Sequence, residues 1–297
     1  MSSSFLIIGP LTKDLIIENN QERFSVGGAV YYQSFIFNSF KENYTILTNL
    51  GFDDKNLLNE FPDKSKIKAV FNSDTLFFKN NYYDGNLNHR KQESNFLNNP
   101  LLKKDLDFID LNDFDCIVLN PLVNTDIPLD IIKYLSSFNI PIALAIQGFL
   151  RNNKNNEVVL DSYSNLEELL ENIDTVFLDN IESCVLFKNE KSCKNIMKKI
   201  SKFGPNEVII TCGDNGSIIY SKYEDEFYRI PSYIPRIIKN PTGAGDTYMA
   251  SYLIKRFSGA NIESSGKFAA MTAALKIKEC SHFNKNKKFV EDELKLI

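Results

Sequence analysis

The sequence has no apolar run long enough to cross a membrane. A transmembrane helix needs about 20 consecutive apolar residues, whereas the run at residues 5–8 ends at Gly9. Residues 1–5 carry no basic side chain, unlike the first part of a signal peptide. We therefore expect no membrane anchor and no secretion signal, and a cytoplasmic location.

Disulfide and zinc patterns are also missing. The five cysteines are scattered without a C-x-x-C pair, and the two histidines, His89 and His282, lie far apart. Disulfide frameworks and structural zinc sites need closely spaced sets of such residues. We predict that the cysteines are reduced and build no metal site. They are Cys116, Cys184, Cys193, Cys212 and Cys280.

An excess of positive charge is absent as well, since the formal net charge is −4. Proteins that bind nucleic acid or membrane surfaces along a broad face are commonly basic. The charge therefore predicts no nucleic-acid partner and no membrane partner, but it does not bear on a local pocket for a nucleotide. With 43% apolar and 24% charged residues, the 297-residue chain has the composition of a globular protein.

From residue 114 onward the chain alternates between apolar runs and segments with helical spacing. Segments such as 165–172 and 192–203 have the helical pattern. Apolar strands that alternate with helices predict a parallel sheet covered on both faces, which binds ligands at the carboxyl ends of its strands. The apolar runs are residues 116–119, 142–146, 175–178 and 208–211.

Residues 66–95 have a different pattern, in which apolar or aromatic residues alternate with polar ones. A period of two is typical of an antiparallel sheet with one exposed face. The Asp84-Gly85 pair within this segment predicts a tight turn between two strands.

Residues 242–246 read Thr-Gly-Ala-Gly-Asp and precede a segment with helical spacing. Small residues let the main-chain N–H groups of Gly243, Ala244 and Gly245 converge, and the helix N-terminus adds the positive end of its dipole. Such a turn binds anions, and Asp246 beside it could take a proton from a hydroxyl that attacks a phosphate. The alternative is a plain glycine-rich loop in which Asp246 caps the helix. A Walker loop and a dinucleotide fingerprint are excluded, because their lysine and third glycine are missing.

With the residues before it, this turn resembles the signature of the PfkB/ribokinase family of sugar and nucleoside kinases, D-T-x-G-A-G-D. Asn240 and Pro241 stand where the family has Asp and Thr, and the rest of the motif is intact. The resemblance implies that Asp246 is the catalytic base and that the N–H groups of residues 243–245 stabilise the transferred phosphate. It also implies that Thr242 contacts ATP.

Two motifs near the N-terminus resemble the acceptor-binding residues of the family. Residues 9–14 are similar to its G-x-x-x-x-D turn, in which Asp14 would accept hydrogen bonds from substrate hydroxyls. Gly27 and Gly28 resemble its Gly-Gly turn, which lets the substrate approach the main chain, and residues 51–53 follow like its G-x-D. Taken singly, Asp14 could also be a solvated loop residue.

Two later motifs resemble the residues that border ATP and magnesium in the family. The loop from Thr211 through Gly213 to Gly216 is similar to its T-x-G-x-x-G loop, which implies contacts with ATP, and a plain β-turn is the alternative. Asp179 and Glu182 match its N-x-x-E, with Asp in place of Asn. By this resemblance Asp179 contacts ATP and Glu182 helps to hold Mg²⁺ through water, although the same pair is typical of a helix capping box.

The resemblance spans residues 9–275 and implies a three-layer α/β/α ribokinase-like domain with a mostly parallel central sheet and a small antiparallel β lid. We expect residues 1–297 to form this single domain, with lid strands from about 12–25 and 66–95. The Ala-rich segment 268–275 would line the adenine pocket, or serve only close helix packing. The expected activity is phosphoryl transfer from ATP, with Mg²⁺, to a small molecule.

Residues 145–151 resemble the D-x-Q-G/A-x-x-R motif of plant inositol kinases and their archaeal relatives, with Ala145 in place of the leading Asp. This likeness implies that Gln147 and Arg151 bind a sugar or an inositol-like polyol. The acceptor stays open, because several tyrosines could instead stack on a nucleobase. These are Tyr31, Tyr32, Tyr82 and Tyr83.

Departures from the family motifs leave a second class of function open, that of a non-catalytic descendant that binds a ligand in the same cleft. The predicted lid has exposed, aromatic-rich strands with a free edge. We therefore also expect a homodimer formed through the lid.

Overall fold

The structure, a computed structural model, describes residues 3–18, 21–82, 90–233, 235, 237–279 and 282–296. The predicted turn at Asp84-Gly85, together with Tyr83, His89 and Cys280, lies outside these residues. The strands of the described part are Ser4–Ile8 (β1), Thr12–Glu18 (β2), Gln21–Gly27 (β3), Asn43–Gly51 (β4), Ile67–Asn72 (β5), Leu76–Tyr82 (β6), Arg90–Ser94 (β7), Cys116–Leu119 (β8), Ile142–Ala145 (β9), Arg151–Lys154 (β10), Glu157–Leu160 (β11), Thr175–Asp179 (β12), Glu207–Thr211 (β13), Ser217–Ser221 (β14) and Glu226–Ile230 (β15). The α-helices are Ala29–Ser39 (α1), Leu129–Ser136 (α2), Gln147–Leu150 (α3), Leu166–Leu170 (α4), Asn180–Leu186 (α5), Cys193–Lys202 (α6), Ala244–Phe257 (α7), Ile262–Ile277 (α8) and Lys287–Lys295 (α9).

The larger sheet is built mainly from parallel strands. Within the described residues its order is β15-β14-β13-β12-β9-β8-β1-β4-β5, and only β14 pairs antiparallel with its neighbours. The apolar runs after residue 114 form its buried strands β8, β9, β12 and β13, as the sequence predicts. The expected three-layer α/β/α fold is confirmed.

Strand β1 shows why both faces of this sheet are covered. Phe5 and Ile7 pack in a core on the side of α1, α7 and α8, whereas Leu6 and Ile8 pack in the core on the side of α2, α4 and α6. Successive side chains of a strand point to opposite faces. A strand that is apolar at every position therefore requires a helix layer on each side.

A second, smaller sheet, called the lid sheet below, has the order β10-β11-β7-β6-β2-β3 among the described strands. Its pairs are antiparallel, except that β2 and β6 run parallel. The structure differs from the expected lid at residues 67–72, which form β5 and pair in parallel with β4 at the edge of the large sheet. A half-covered edge strand alternates like a lid strand, so periodicity alone does not distinguish them.

The lid sheet also gains a hairpin that sequence reasoning missed. Residues 152–156 are rich in Asn and Lys and resemble a surface loop, but they lie in the hairpin of β10 and β11, which joins the lid sheet through β7. Its exposed tip accounts for the polar composition.

Within the described residues, no helix combines the length and the apolar character that crossing a membrane requires. The cysteines in this part of the chain, Cys116, Cys184, Cys193 and Cys212, are free thiols.

Candidate active site

A cleft of about 630 Å³ lies between the lid sheet and the carboxyl ends of strands in the large sheet. Residues from separate parts of the chain meet there because parallel strands end at the same edge. The sequence-predicted site residues that line the cleft are Asp14, Gly28, Gln147, Arg151, Asp179, Glu182, Thr211, Thr242, Gly243, Ala244, Gly245 and Asp246.

Three predicted site residues are not among those that line the cleft. They are Gly27, Gly213 and Gly216. The carboxylate of Asp14 lies against Gly27, where an added Cβ would come within 2.5 Å of its Oδ2. Gly213 and Gly216 form the turn between β13 and β14, which the Cys212 N–H closes on the Gly216 carbonyl at 2.8 Å. The Asn215 N–H donates to the Cys212 carbonyl at 3.0 Å, so the β-turn expected as an alternative is present.

The glycine turn begins α7, as the sequence predicts. Gly243 has a left-handed main chain with φ 78° and precedes the helix, and its carbonyl accepts the N–H of Thr247 at 2.9 Å. The Ala244 N–H donates to the Pro241 carbonyl at 3.1 Å. The Ala244 N–H is therefore used within the turn itself. The predicted donors Gly243 and Gly245 lie beside the start of α7, where the positive end of the helix dipole favours an anion.

The departure at Asn240 preserves the turn that follows it. Its side-chain Oδ1 accepts the N–H of Thr242 at 3.0 Å, a bond that an aspartate carboxylate would make equally well. Pro241 contributes only its carbonyl and therefore needs no N–H partner. Both substitutions are compatible with the geometry of the turn.

Tyr32 lines the cleft beside the glycine turn. Its ring packs against Gly243, where an added Cβ would lie 2.5 Å from the ring Cγ. Burial, together with the charges of Asp14 and Asp246, raises the pKa of the Tyr32 hydroxyl well above its usual range. Both carboxylates therefore lie near the Tyr32 hydroxyl, which stays neutral.

Asp179 and Glu182 form the capping box of α5. Asp179 Oδ1 accepts the Glu182 N–H at 2.7 Å, and Glu182 Oε2 accepts the Asp179 N–H at 2.8 Å. Burial and the neighbouring Asp179 charge raise the pKa of Glu182 above its usual range, with a smaller contribution from Asp246. A cation at this corner would offset the clustered negative charge.

The remaining polar groups lie at the lid end of the cleft. Thr12 Oγ1 donates to Asp14 Oδ1 at 2.8 Å. Arg151 donates to the Leu122 carbonyl at 3.4 Å, and its guanidinium lies 5.4 Å from the centre of the Phe78 ring. Arg151, the first residue of β10, thus contacts the segment after β8 and the lid strand β6.

The sequence model for pfkB family carbohydrate kinases matches residues 87–286. The chain belongs to this family. It is 35% identical over 102 residues, 32% of each chain, to a nucleoside kinase of Methanothermobacter thermautotrophicus. It is 29% identical over 119 residues to a 5-dehydro-2-deoxygluconokinase of Listeria innocua, covering 40% of this chain and 34% of that one. The matches thus span about a third of these relatives' length.

Solved structures share the fold of this pfkB-family chain over nearly its whole length. A pyrophosphate-dependent kinase of the ribokinase family, solved with a pyrophosphate analogue and myo-inositol, has a TM-score of 0.82 at 22% identity, covering 97% of this chain and 99% of that one. The ribokinase of Arabidopsis thaliana, solved with ribose and ATP, has a TM-score of 0.78 at 17% identity, covering 99% of both chains. The fold is ribokinase-like.

Sequence reasoning missed much of the apolar wall of the cleft in this pfkB-family chain. Phe78 lines it from β6, Val158 and Leu160 from β11, and Leu122 from the segment after β8. Val158 and Leu160 are two residues apart in a strand and so share a face. That spacing was a usable signal, but it becomes informative only once the hairpin is assigned to the lid.

Proposed function

We propose that this protein transfers the γ-phosphate of ATP to a hydroxyl of a small sugar or an inositol-like polyol. One observation carries the proposal: Asp14 at the lid end and Asp246 at the start of α7 line the same cleft, and the charges of both act on Tyr32. An acid that binds acceptor hydroxyls is thereby placed near an acid beside an anion-binding helix N-terminus. The large sheet with its helices and the lid sheet act as a single domain over residues 1–297.

The acceptor binds at the lid end of the cleft. Asp14 accepts hydrogen bonds from two neighbouring hydroxyls, and the Gly27-Gly28 turn brings the main chain close to the substrate. Gln147 and Arg151 supply further donors. The apolar side chains of the lid cover the acceptor and exclude water from the reacting hydroxyl.

Phosphoryl transfer takes place at the start of α7. Asp246 accepts the proton of the attacking hydroxyl, which then bonds to the γ-phosphorus as the bond to ADP breaks. The N–H groups of Gly243 and Gly245, with the helix dipole, stabilise the charge on the transferred phosphoryl oxygens, and that of Ala244 holds the turn by donating to the Pro241 carbonyl. Thr242 completes this turn on the donor side.

The remaining phosphates of ATP lie along the loops that carry Thr211, Gly213, Gly216 and Asp179. Mg²⁺ in proteins commonly takes one or two carboxylates and substrate phosphates, with water in its other positions. Burial and the Asp179 charge disfavour the ionised form of Glu182. A nearby cation would stabilise that form, so Glu182 fits this role through water. Mg²⁺ would supply further neutralisation of phosphate charge.

A nucleoside is the second candidate acceptor. The apolar and aromatic side chains of the lid end, such as Phe78 and Tyr82, offer a surface on which a base can stack. The likeness to an archaeal nucleoside kinase supports this candidate, whereas the shared fold of the myo-inositol-bound structure is compatible with the polyol.

The test is formation of the phosphorylated product by the purified protein from myo-inositol, ribose or inosine, with ATP and with pyrophosphate as donors. We expect turnover of one acceptor class with ATP. Asp246→Asn should lower kcat by about 100- to 10,000-fold, because it removes the general base, while the exposed Asp130→Asn on α2 should not. No turnover with any acceptor, together with saturable binding of one, would favour a non-catalytic binding protein.

A further inference from the structure

Lys276, in the last turn of α8, is a buried charged residue that the catalytic proposal above does not use. Its side chain is only 3% exposed. Burying an ammonium group costs several kcal/mol unless hydrogen bonds and opposite charge compensate it. An apolar side chain of similar length would fill the same space without this cost, so the contacts of the ammonium group need an explanation.

The ammonium group of Lys276 contacts the loop that leads into the glycine turn. Its Nζ donates to the main-chain carbonyl of Asn240 at 3.0 Å and to that of Thr242. The neighbouring carbonyl of Ile277 accepts the N–H groups of Lys239 and Asn240 at 2.8 and 3.2 Å. The end of α8 thus binds both the carbonyls and the N–H groups of the loop.

Lys276 also lies near Tyr32, which contacts the same turn. Its Nζ lies 5.6 Å from the centre of the Tyr32 ring, within the range of a cation–π contact. The same ring packs against Gly243. Lys276 and Tyr32, which lie near each other, therefore both contact the main chain between Asn240 and Gly243.

We propose that Lys276 is a positioning residue for phosphoryl transfer. Its ammonium group holds the carbonyls of Asn240 and Thr242, so that the following turn presents its N–H groups to the phosphate, and it adds positive charge behind this anion site. Lys276 does not touch the substrate in this role. The inference rests on the proposed kinase function.

The charged and titratable groups around Lys276 come from three elements. Asp246 faces it from α7, Tyr32 from α1, and His282 from the segment after α8. Burial lowers the pKa of Lys276 to about 8, and Asp246 opposes this shift. Burial and the charge of Lys276 both lower the pKa of His282, so this ring is neutral when Lys276 titrates. Tyr32 is also neutral there, because its own pKa is raised.

The sign of the pH dependence follows from these directions. The positioning form of Lys276 is protonated, so kcat/KM for the donor should fall as the pH rises through about 8. Comparing variants at each pH isolates the contribution of Lys276.

The experiment measures kcat/KM for ATP on both sides of pH 8 in the wild type, Lys276→Arg and Lys276→Met. Lys276→Met should lose about 10- to 100-fold, as is typical when a supporting group of a site is removed, and should lose the alkaline limb. Lys276→Arg should retain more activity and shift that limb to higher pH, since arginine stays charged. The matched control is Lys278→Met, an exposed lysine two positions along the chain.

Chemical rescue provides a readout that a merely structural lysine would not give. In Lys276→Ala, methylammonium can occupy the vacated space beside the two carbonyls, and we expect it to restore part of the lost turnover. Lys278→Ala should show no response. If Lys276→Met does not fold, the comparison of Lys276→Arg with the wild type still decides the pH effect.

Two failures are distinguishable. A wild-type protein without turnover of any acceptor contradicts the proposed function itself. An active wild type in which the alkaline limb is unchanged by Lys276→Arg and methylammonium gives no rescue overturns only the role of Lys276, because charge at this position would then not matter.

Discussion

At the scale of single residues, Gly243 and Gly245 lie in the same turn but differ in what a side chain would meet. A Cβ on Gly243 would lie 2.5 Å from the Tyr32 ring, and φ is +78° there. A Cβ on Gly245 would meet no atom within 4 Å, and its φ is ordinary for a helix. Gly245 is therefore not required by the fold, and its small size serves the open space of the cleft.

The first prediction separates these two glycines. Gly245→Ala should keep or raise the free energy of unfolding, by up to about 1 kcal/mol, because alanine favours the helix. It should still lower kcat/KM by roughly 10- to 100-fold, because an extra methyl group displaces the phosphate from its best position.

Gly243→Ala is the matched variant in the same turn. It should lose both stability and turnover, since it strains the main chain and displaces Tyr32. The measurements are urea unfolding and steady-state kinetics. Full activity of Gly245→Ala would contradict an anion site at this turn.

At the scale of elements, α7 is anchored at the end opposite the cleft. Arg256 makes a two-point ion pair with Glu207 of β13, in which Nη2 and Nε donate to Oε1 at 2.6 and 3.1 Å. Tyr252 donates to Glu207 Oε2 at 2.6 Å. The Glu207 side chain is 12% exposed. These bonds fix the direction in which the helix points its N-terminus into the cleft.

The second prediction concerns this anchor. Glu207→Gln should lower the free energy of unfolding by roughly 1–3 kcal/mol, because partly buried charged hydrogen bonds are lost. A double-mutant cycle with Arg256→Met should show coupling between the two residues. The exposed Lys133–Glu168 pair is the control and should contribute less than about 1 kcal/mol. Equal losses at both pairs would contradict the anchoring role.

At the scale of the whole molecule, β3 is an edge strand of the lid sheet among the strands that the structure describes, with Gln21, Glu22, Arg23 and Phe24 exposed. Phe24 is 67% exposed and lies 5.9 Å from Lys13 Nζ, measured to the ring centre. An exposed aromatic on a strand edge is a suitable contact for a second copy of the chain. The homodimer through the lid remains our proposal.

The third prediction tests the dimer by light scattering. We expect a mass of twice the 34.0 kDa chain, and Phe24→Glu should reduce it to that of one chain, because it places a charge in the contact. Phe108→Glu, at an exposed phenylalanine outside the lid sheet, should leave the mass unchanged. A single-chain mass for the wild type would exclude the dimer.

How much of the site could be predicted depends on how local its signals are. The turn at residues 242–246 and the capping box at Asp179 and Glu182 are formed by neighbours in sequence, so their residue types alone indicate their geometry. Lys276 lies 34 residues beyond Thr242 in an Ala-rich helix. No local pattern indicates that its ammonium group contacts the glycine turn.

Residue patterns alone predict the buried parallel strands, the helix that begins at the glycine turn and the family to which the chain is similar. These features depend on periodicity and on hydrogen bonds between near neighbours. Three features became known only from the folded chain: β5 joins the large sheet, the 151–160 hairpin joins the lid sheet, and Lys276 contacts the loop before the glycine turn. Each of these depends on long-range packing, which several sheet arrangements with the same local pattern would satisfy.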